Sequence, residues 1–213
     1  GLYLALATFA LGVSLPPLLK YHHFEKWTGG VQGIVIAKPD APFGLPLNPD
    51  RWLYFFTLAV TLLMFLLAWN LLRGRVGRAL VAIRDQHVAA EAMGVNTSIY
   101  KSLAFGVSAM YTGVAGALGA IAIQFVAPDS FNIFLSITLL VGVVVGGLAS
   151  ITGALYGALF IQFVPNIADD ISKAAPWAIF GLFLIASVYV MPAGVAGAIR
   201  MGMARLRRKR QTS

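Results

Sequence analysis

Five apolar runs, Leu2 to Leu19, Trp52 to Leu72, Ile99 to Phe125, Phe131 to Ala149 and Trp177 to Val190, fix the kind of molecule this chain can be. The longest of them reach the eighteen or more residues that a helix rising 1.5 Å per residue needs to cross a hydrocarbon core of roughly 30 Å. A sixth run, Gly153 to Val164, spans only about 18 Å of helix and is too short to cross alone. It is therefore tilted, continued by Pro165 to Ile167, or part of a broken or re-entrant element. With 59% hydrophobic and 11% charged residues, 213 residues do not fold around one soluble core. A barrel would show short alternating strands instead. The expected fold class is all-α, a polytopic transmembrane helical bundle of about six spans. No cysteine is present, which excludes disulfides and thiolate metal sites. Because Gly1 falls inside an apolar run with no basic n-region or cleavage pattern, the chain reads as the later part of a longer protein.

Pro16 and Pro17 are expected to break or kink the first run near its end. Residues 20 to 51 form a long Gly- and Pro-rich connection that calls for some short structure of its own. Trp52 to Leu72 carries aromatics at both ends, as side chains at headgroup level do. Pro176 suits the first helical turn of the last run.

Cations set the orientation, since Lys and Arg in short connections stay on the cytoplasmic side. Of 16 Lys and Arg, five lie from Arg73 to Lys101 and six from Arg200 to Arg210. Four crossings separate the two groups, an even number, so both fall on the cytoplasmic face and Glu25, Asp40, Asp50, Asp129, Asp169 and Asp170 fall outside. The division that follows is a transmembrane domain over residues 1–199, with a cytoplasmic segment at 73–98, and a basic cytoplasmic tail over 200–213. Although Arg205 to Arg210 has the composition of a nucleic-acid or phospholipid patch, cations after a last span serve mainly as a topology determinant. No nucleic-acid partner is expected; the lipid bilayer is.

Small residues let membrane helices approach, because lipid provides no hydrophobic drive between them. Ala109, Gly113 and Ala117 repeat every four residues, and Gly142 with Gly146 and Gly153 with Gly157 do the same. The same spacing serves tight packing or the lining of a solute path. Gly146 and Gly147, followed by Ser150, Thr152 and Gly153, form a candidate flexible turn.

Catalysis is poorly supplied. No Asp, Glu, Lys, Arg or His lies inside the spans, the charges sitting at their ends or in loops, which argues against a proton-coupled pump. His22, His23 and Glu25 lack a third ligand at useful spacing, so no metal site and no catalytic residue is proposed. The phosphate-cradling pattern G-x-x-x-x-G-K-[ST] is absent, so any ATP is bound by another protein.

The segment from Arg73 to Tyr100 is amphipathic. Ala79, Leu80, Ile83, Val88, Ala92 and Met93 map to one side of a single helix, and Arg78, Arg84, Asp85, Gln86 and Glu91 to the rest. Gly94 offers a stop, and Asn96 or Thr97 a cap for the next span. Two readings remain open on these grounds: a helix that docks in a groove on a cytoplasmic partner, or a connection resting at the headgroups.

Residues 77–96, GRALVAIRDQHVAAEAMGVN, resemble the ATPase-coupling loop of the permease subunits of ATP-binding-cassette importers for branched-chain amino acids. In order along the chain, GLYLALATFALG resembles that family's opening of a central span and WTGGVQGI its outer loop. SLAFGVSAMYTGVAGALGA resembles its small-residue helix, and APDSFNIFLSITLLVGVVVGGLASITGALYGA its Pro-x-Ser-Phe segment and glycine turn. Nearly the whole chain is covered, and the subunit type conventionally called M is the most similar. Ala149 stands where that family has Gly and Ala154 where it has Pro, which implies a less sharp inner turn. Met191 to Gly194, MPAG, replaces a more usual basic residue.

The resemblance implies a bacterial inner-membrane permease that works by alternating access and binds no cofactor itself. A second permease subunit, two cytoplasmic ATPase subunits that use ATP and Mg, and an extracytoplasmic solute-binding protein are the implied partners. Arg78, Arg84 and Glu91 are then expected to make polar contacts with the ATPase, Ala79, Ile83, Ala90 and Ala92 to fit its groove, and Gly94 to end the helix. Thr28, Gly29, Gly30 and Gly33 would lie near the docked binding protein. Permeases for urea or short amides share the plan, and a passive channel without an ATPase is the alternative from another class.

Overall fold

The computed structural model describes residues 2–39 and 48–171 and, further on, residues 181–182, 184–186, 189 and 194–199; of 168–171 only the backbone is described. The run from Trp177 to Val190 lies largely outside the described residues, and Pro176 and the tail 200–213 lie wholly outside them. Two compact units divide the chain, Gly1–Ser130 and Phe131–Ser213.

In the first unit, α1 (Leu2–Leu19) continues through Pro16 and Pro17 rather than breaking at them. Each proline withholds one N–H from the ladder, but their own carbonyls still accept from the Lys20 N–H, at 3.3 Å and 3.2 Å, which closes the last turn. The connection that follows contains a single turn, α2 (Glu25–Thr28), and a two-residue strand, β1 (Ile34–Val35). Asn48 accepts from the Asp50 N–H and Pro49 fills the first position, so that α3 (Pro49–Arg73) begins at a capped start. Two short helices, α4 (Arg75–Asp85) and α5 (His87–Ala92), lead to α6 (Thr97–Ile123). Gln124 closes α6 in a left-handed conformation, φ 64°. Phe125 accordingly leaves the expected span and joins β2 (Phe125–Val126), which pairs antiparallel with β1, Ile34 opposite Val126. A 3-10 turn, Pro128–Ser130, ends the unit.

The two long helices of this unit meet through a hydrogen bond, Tyr111 Oη donating to the Met64 carbonyl at 2.9 Å. Ala104, Val107, Tyr111, Val114 and Leu118, spaced by threes and fours, form the half-buried stripe of α6. Ala109, Gly113 and Ala117 stand on the exposed face instead, with nothing within 4 Å of the Cβ that Gly113 lacks. Their spacing is right for close packing, but within this unit α6 packs through the larger side chains.

In the second unit, α7 (Ile133–Gly146), capped by Asn132 accepting from the Leu135 N–H at 3.0 Å, pairs with α8 (Ile151–Ile171). The short fifth run is thus one continuous helix of 21 residues carrying Pro165 inside it, not a broken element, and it takes in Asp169 and Asp170. Here the small-residue spacing is used for close approach. A Cβ on Gly146 would stand 2.0 Å from the Gly153 carbonyl oxygen, and one on Gly157 2.2 Å from that of Gly142. Val141 and Val145 are buried beside this crossing, against Phe160, Val164, Leu184 and Val195.

Among the described residues three helices are long and apolar enough to cross a membrane, Pro49–Arg73, Thr97–Ile123 and Pro128–Gly146, the last with the 3-10 turn included. Tyr3–Leu19 and Ile151–Ile167 are shorter apolar helices. The architecture is that of an all-α polytopic membrane protein, with one two-stranded ribbon that local sequence pattern did not signal.

Candidate functional site

The elbow between α3 and α6 is built on two glycines. Gly74 ends α3, its N–H donating to Asn70 O at 3.1 Å and Leu71 O at 3.2 Å, and its extended backbone starts α4 in a new direction. Gly77 is buried, and a Cβ there would stand 2.0 Å from the Leu72 carbonyl oxygen, so α4 leans directly on the end of α3. Arg78 Nη1 donates to the Arg73 carbonyl at 3.3 Å across the same corner.

Residues 77–94 form two helices, not one. At Gln86 the backbone is extended, φ −154° and ψ 100°, while its N–H still closes α4 by donating to Ala82 O at 3.0 Å. The break redistributes the apolar side chains that a single helix would align. Ala79, Leu80 and Ile83 are half-buried, and Ala90, at 5% exposure, is turned inward and unavailable to fill a partner's groove. Val88 and Met93, at 67% and 85% exposure, point away together with Ala92. The outward apolar surface therefore takes in Val88, Ala92 and Met93 together with Val81, 42% exposed, and Arg78 and Arg84 are exposed as well. Nothing in Asp85-Gln86-His87 marks the break, since neither Gly nor Pro is present.

Gly94 ends α5 at φ +84°, its N–H donating to Glu91 O at 2.9 Å. Asn96 caps α6, its side chain accepting from the Ile99 N–H at 3.2 Å. Thr97, 8% exposed, donates its hydroxyl to Glu91 Oε1 at 2.5 Å. Glu91 thus ties α5 to the first turn of α6, and Arg84 forms an ion pair with its neighbour Asp85 at 2.9 Å.

At the opposite end of α6 the connection after α1 is held by several bonds. Thr28 Oγ1 donates to Leu19 O at 2.8 Å and accepts from the Gly30 N–H. Gly33 approaches β2 so closely that a Cβ would meet the Val126 carbonyl at 2.6 Å. Lys20 reaches Asp129 at 2.6 Å. Thr28, Gly29, Gly30 and Gly33 are therefore framework, and Trp27 and Val31, at 82% and 70% exposure, are what this loop displays. His22 Nδ1 lies 3.0 Å from Glu25 Oε2, an exposed pair. Among the described residues no three His, Asp or Glu gather in a way that would hold a metal ion.

The inner turn of the second unit is sharp in spite of Ala149. That residue takes a left-handed conformation, φ +60°, which Gly adopts without cost. Ser150 Oγ lies 3.0 Å from Thr152 Oγ1 and accepts from the Gly153 N–H at 3.3 Å, capping α8. Gly146, Gly147 and Gly153 are buried, and Gly194 rests against Gly147 with no room for a Cβ, 2.3 Å from its Cα.

Long apolar helices, short linking turns and an elbowed two-helix connection between two spans define a multi-pass helical membrane protein. Residues 5–201 match the family described as branched-chain amino acid transport system / permease component, and the chain belongs to that family. It is 29% identical over 212 residues to the high-affinity branched-chain amino acid transport system permease protein LivM of Escherichia coli, covering 89% of this chain and 49% of that one. The LivM of Salmonella typhimurium is equally similar, over the same shares of both chains. The autoinducer 2 import system permease protein LsrC of Salmonella typhi is 29% identical over 171 residues, 75% of this chain and 47% of that one. The chain spans about half the length of the curated relatives it matches. No solved structure matches it.

Proposed function

We propose that this chain is part of a permease subunit of an ATP-driven importer that moves branched-chain amino acids across the bacterial inner membrane by alternating access. The single observation that carries the reading is the elbow: a two-helix connection between spans, rigidly seated on α3 through Gly77 and tied to α6 through Glu91 and Thr97. Such a connection passes a push on its outer face to both spans as one body.

In this reading the segment 73–98 and the basic tail lie in the cytoplasm, as the distribution of cations supports. Two cytoplasmic ATPase subunits, using ATP and Mg, grip the elbow through Val88, Ala92 and Met93 with Arg78 and Arg84 at the rim. A second permease subunit completes the path, and an extracytoplasmic solute-binding protein delivers cargo near the loop that displays Trp27 and Val31. Glu91 and Gly94 act by holding the elbow's shape, Glu91 through its bond to Thr97 and Gly94 through its left-handed turn.

The test is leucine uptake into vesicles carrying the assembled permease with and without its ATPases. Accumulation above equilibrium that requires ATP supports the reading; equilibration without accumulation makes the protein a channel. Replacing Glu91 and Gly94 together is expected to leave membrane insertion intact while abolishing uptake and stimulated ATP hydrolysis. Full transport by that variant refutes the role given to the elbow. Because one relative is named for import of autoinducer 2, competition of leucine uptake by unlabelled valine, by urea and by autoinducer 2 decides the cargo.

A further inference from the structure

The outward face of α3 ends in a column of side chains graded from apolar to cationic. Leu58, Leu62, Leu66, Trp69 and Arg73 follow each other at intervals of four, four, three and four, which keeps them on one stripe of the helix. Leu58, Leu62, Leu66 and Trp69 are 41%, 56%, 68% and 46% exposed, and Arg73 is exposed as well. From Leu58 to Trp69 the helix rises about 16 Å, one leaflet of a hydrocarbon core roughly 30 Å thick. Trp69 then lies at the interface where indoles concentrate, and Arg73 lies about 6 Å beyond it, at the level of the phosphates.

Local geometry holds this cation in place. The Arg73 guanidinium carbon sits 4.7 Å from the centroid of the Trp69 ring, an attraction through the ring face that leaves the guanidinium N–H edge free to form paired bonds to phosphate oxygens. Arg78 bonds back to the Arg73 carbonyl, and Arg75 stands exposed between them. Among the described residues no ion pair links Arg73, Arg75 or Arg78 to an acid; the four ion pairs there involve Lys20, His22, Lys38 and Arg84. Among the described residues, the elbow therefore presents three cations without a carboxylate partner at a bilayer surface, where each is attracted to anionic headgroups.

We propose that this face of α3 and the elbow bind one anionic phospholipid, its acyl chain along Leu58, Leu62 and Leu66 and its phosphate between Arg73 and Arg75. A soluble partner does not reach a leucine stripe at membrane depth, whereas a phospholipid matches apolar, indole and cationic levels in that order. A choline headgroup brings its own cation to the same three arginines and fits less well. Because Gly77 fixes α4 against the end of α3, a lipid held at this corner steadies the elbow itself. The inference needs only the membrane placement of α3, not an ATPase.

Native mass spectrometry of the purified permease, titrated with phosphatidylglycerol or with phosphatidylcholine of the same acyl chains, tests it. At least tenfold stronger retention of phosphatidylglycerol is expected for the wild type. Arg73→Gln with Arg75→Gln should bring that ratio close to one, and Trp69→Leu, which keeps an apolar helix former, should lower it several-fold. Equal retention of both lipids, or an undiminished ratio in both variants, overturns the proposal. Displacement of bound phosphatidylglycerol by millimolar inorganic phosphate also overturns it, since the stripe would then add nothing to a bare phosphate contact.

Discussion

Alanine at Gly157 should destabilise the second unit, whereas the same change at Gly113 should not. The Cβ introduced at Gly157 would lie 2.2 Å from the Gly142 carbonyl oxygen and 2.8 Å from its carbon, both backbone atoms of α7 that no rotamer change moves aside. Ordinary contact begins near 3.4 Å, so the helices must part by about 1.2 Å where they cross. Parting them loosens Val141 and Val145, now 7% and 3% exposed, against Phe160 and Val164. Overpacking of this kind costs about 1–3 kcal/mol, and the helix preference of Ala over Gly offsets about 1 kcal/mol, leaving a net loss of up to about 2 kcal/mol. At Gly113 nothing lies within 4 Å, so only the preference acts and the variant should gain up to about 1 kcal/mol. Unfolding free energies of the two purified variants, from loss of helical circular dichroism in mixed micelles titrated with sodium dodecyl sulfate, should therefore differ by the overpacking cost alone, about 1–3 kcal/mol. Equal destabilisation of both refutes the reasoning, because spacing alone, and not the closeness of the crossing, would then decide the outcome.

Ala149→Gly should stabilise the inner turn by about 1 kcal/mol, since φ +60° is costly for a residue with a Cβ; an unchanged midpoint in the same titration counts against it. Tyr111→Phe removes the bond to Met64 and should cost about 1 kcal/mol while leaving helix content unaltered by circular dichroism. Gly77→Ala forces the corner open, because its Cβ would meet Leu72 backbone at 2.0 Å; spin labels on α3 and α4 should report a changed separation, and an unchanged one excludes the rigid corner. Asp129→Asn, at an ion pair whose carboxylate side chain is 68% exposed, should change stability by less than about 1 kcal/mol.

How much of this was readable in the sequence depends on the range of the interaction involved. Spans are local: apolar length and the caps at Asn96 and Gly94 predict α6 and the end of α5 nearly to the residue. Spacing by four at Gly142, Gly146, Gly153 and Gly157 likewise predicts a close crossing, because two such stripes joined by a short turn have each other as first neighbours. The same spacing at Ala109 and Gly113 carries no such neighbour, and there the pattern does not predict the packing of this unit. The break at Gln86 lies beyond local reading too. No residue there forbids a helix, and the extended backbone arises where α4 and α5 must satisfy α3 and α6 together. Once that break is known, the candidate contact surface shifts from Ala79, Ile83, Ala90 and Ala92 to one that keeps Ala92 and adds Val88 and Met93. Pairing of Ile34 with Val126 joins two segments of two residues each, too short for any alternation to announce.

That ribbon, together with the ion pair between Lys20 and Asp129 109 positions apart, also sets a clock on biosynthesis. At about 5–20 residues per second, the end of α1 leaves the ribosome about 5–20 s before the partner it clasps has been made. During that interval α1 waits in the bilayer unlatched. Nascent chains halted before Phe125 should show an accessible Lys20, and those released past Ser130 a shielded one.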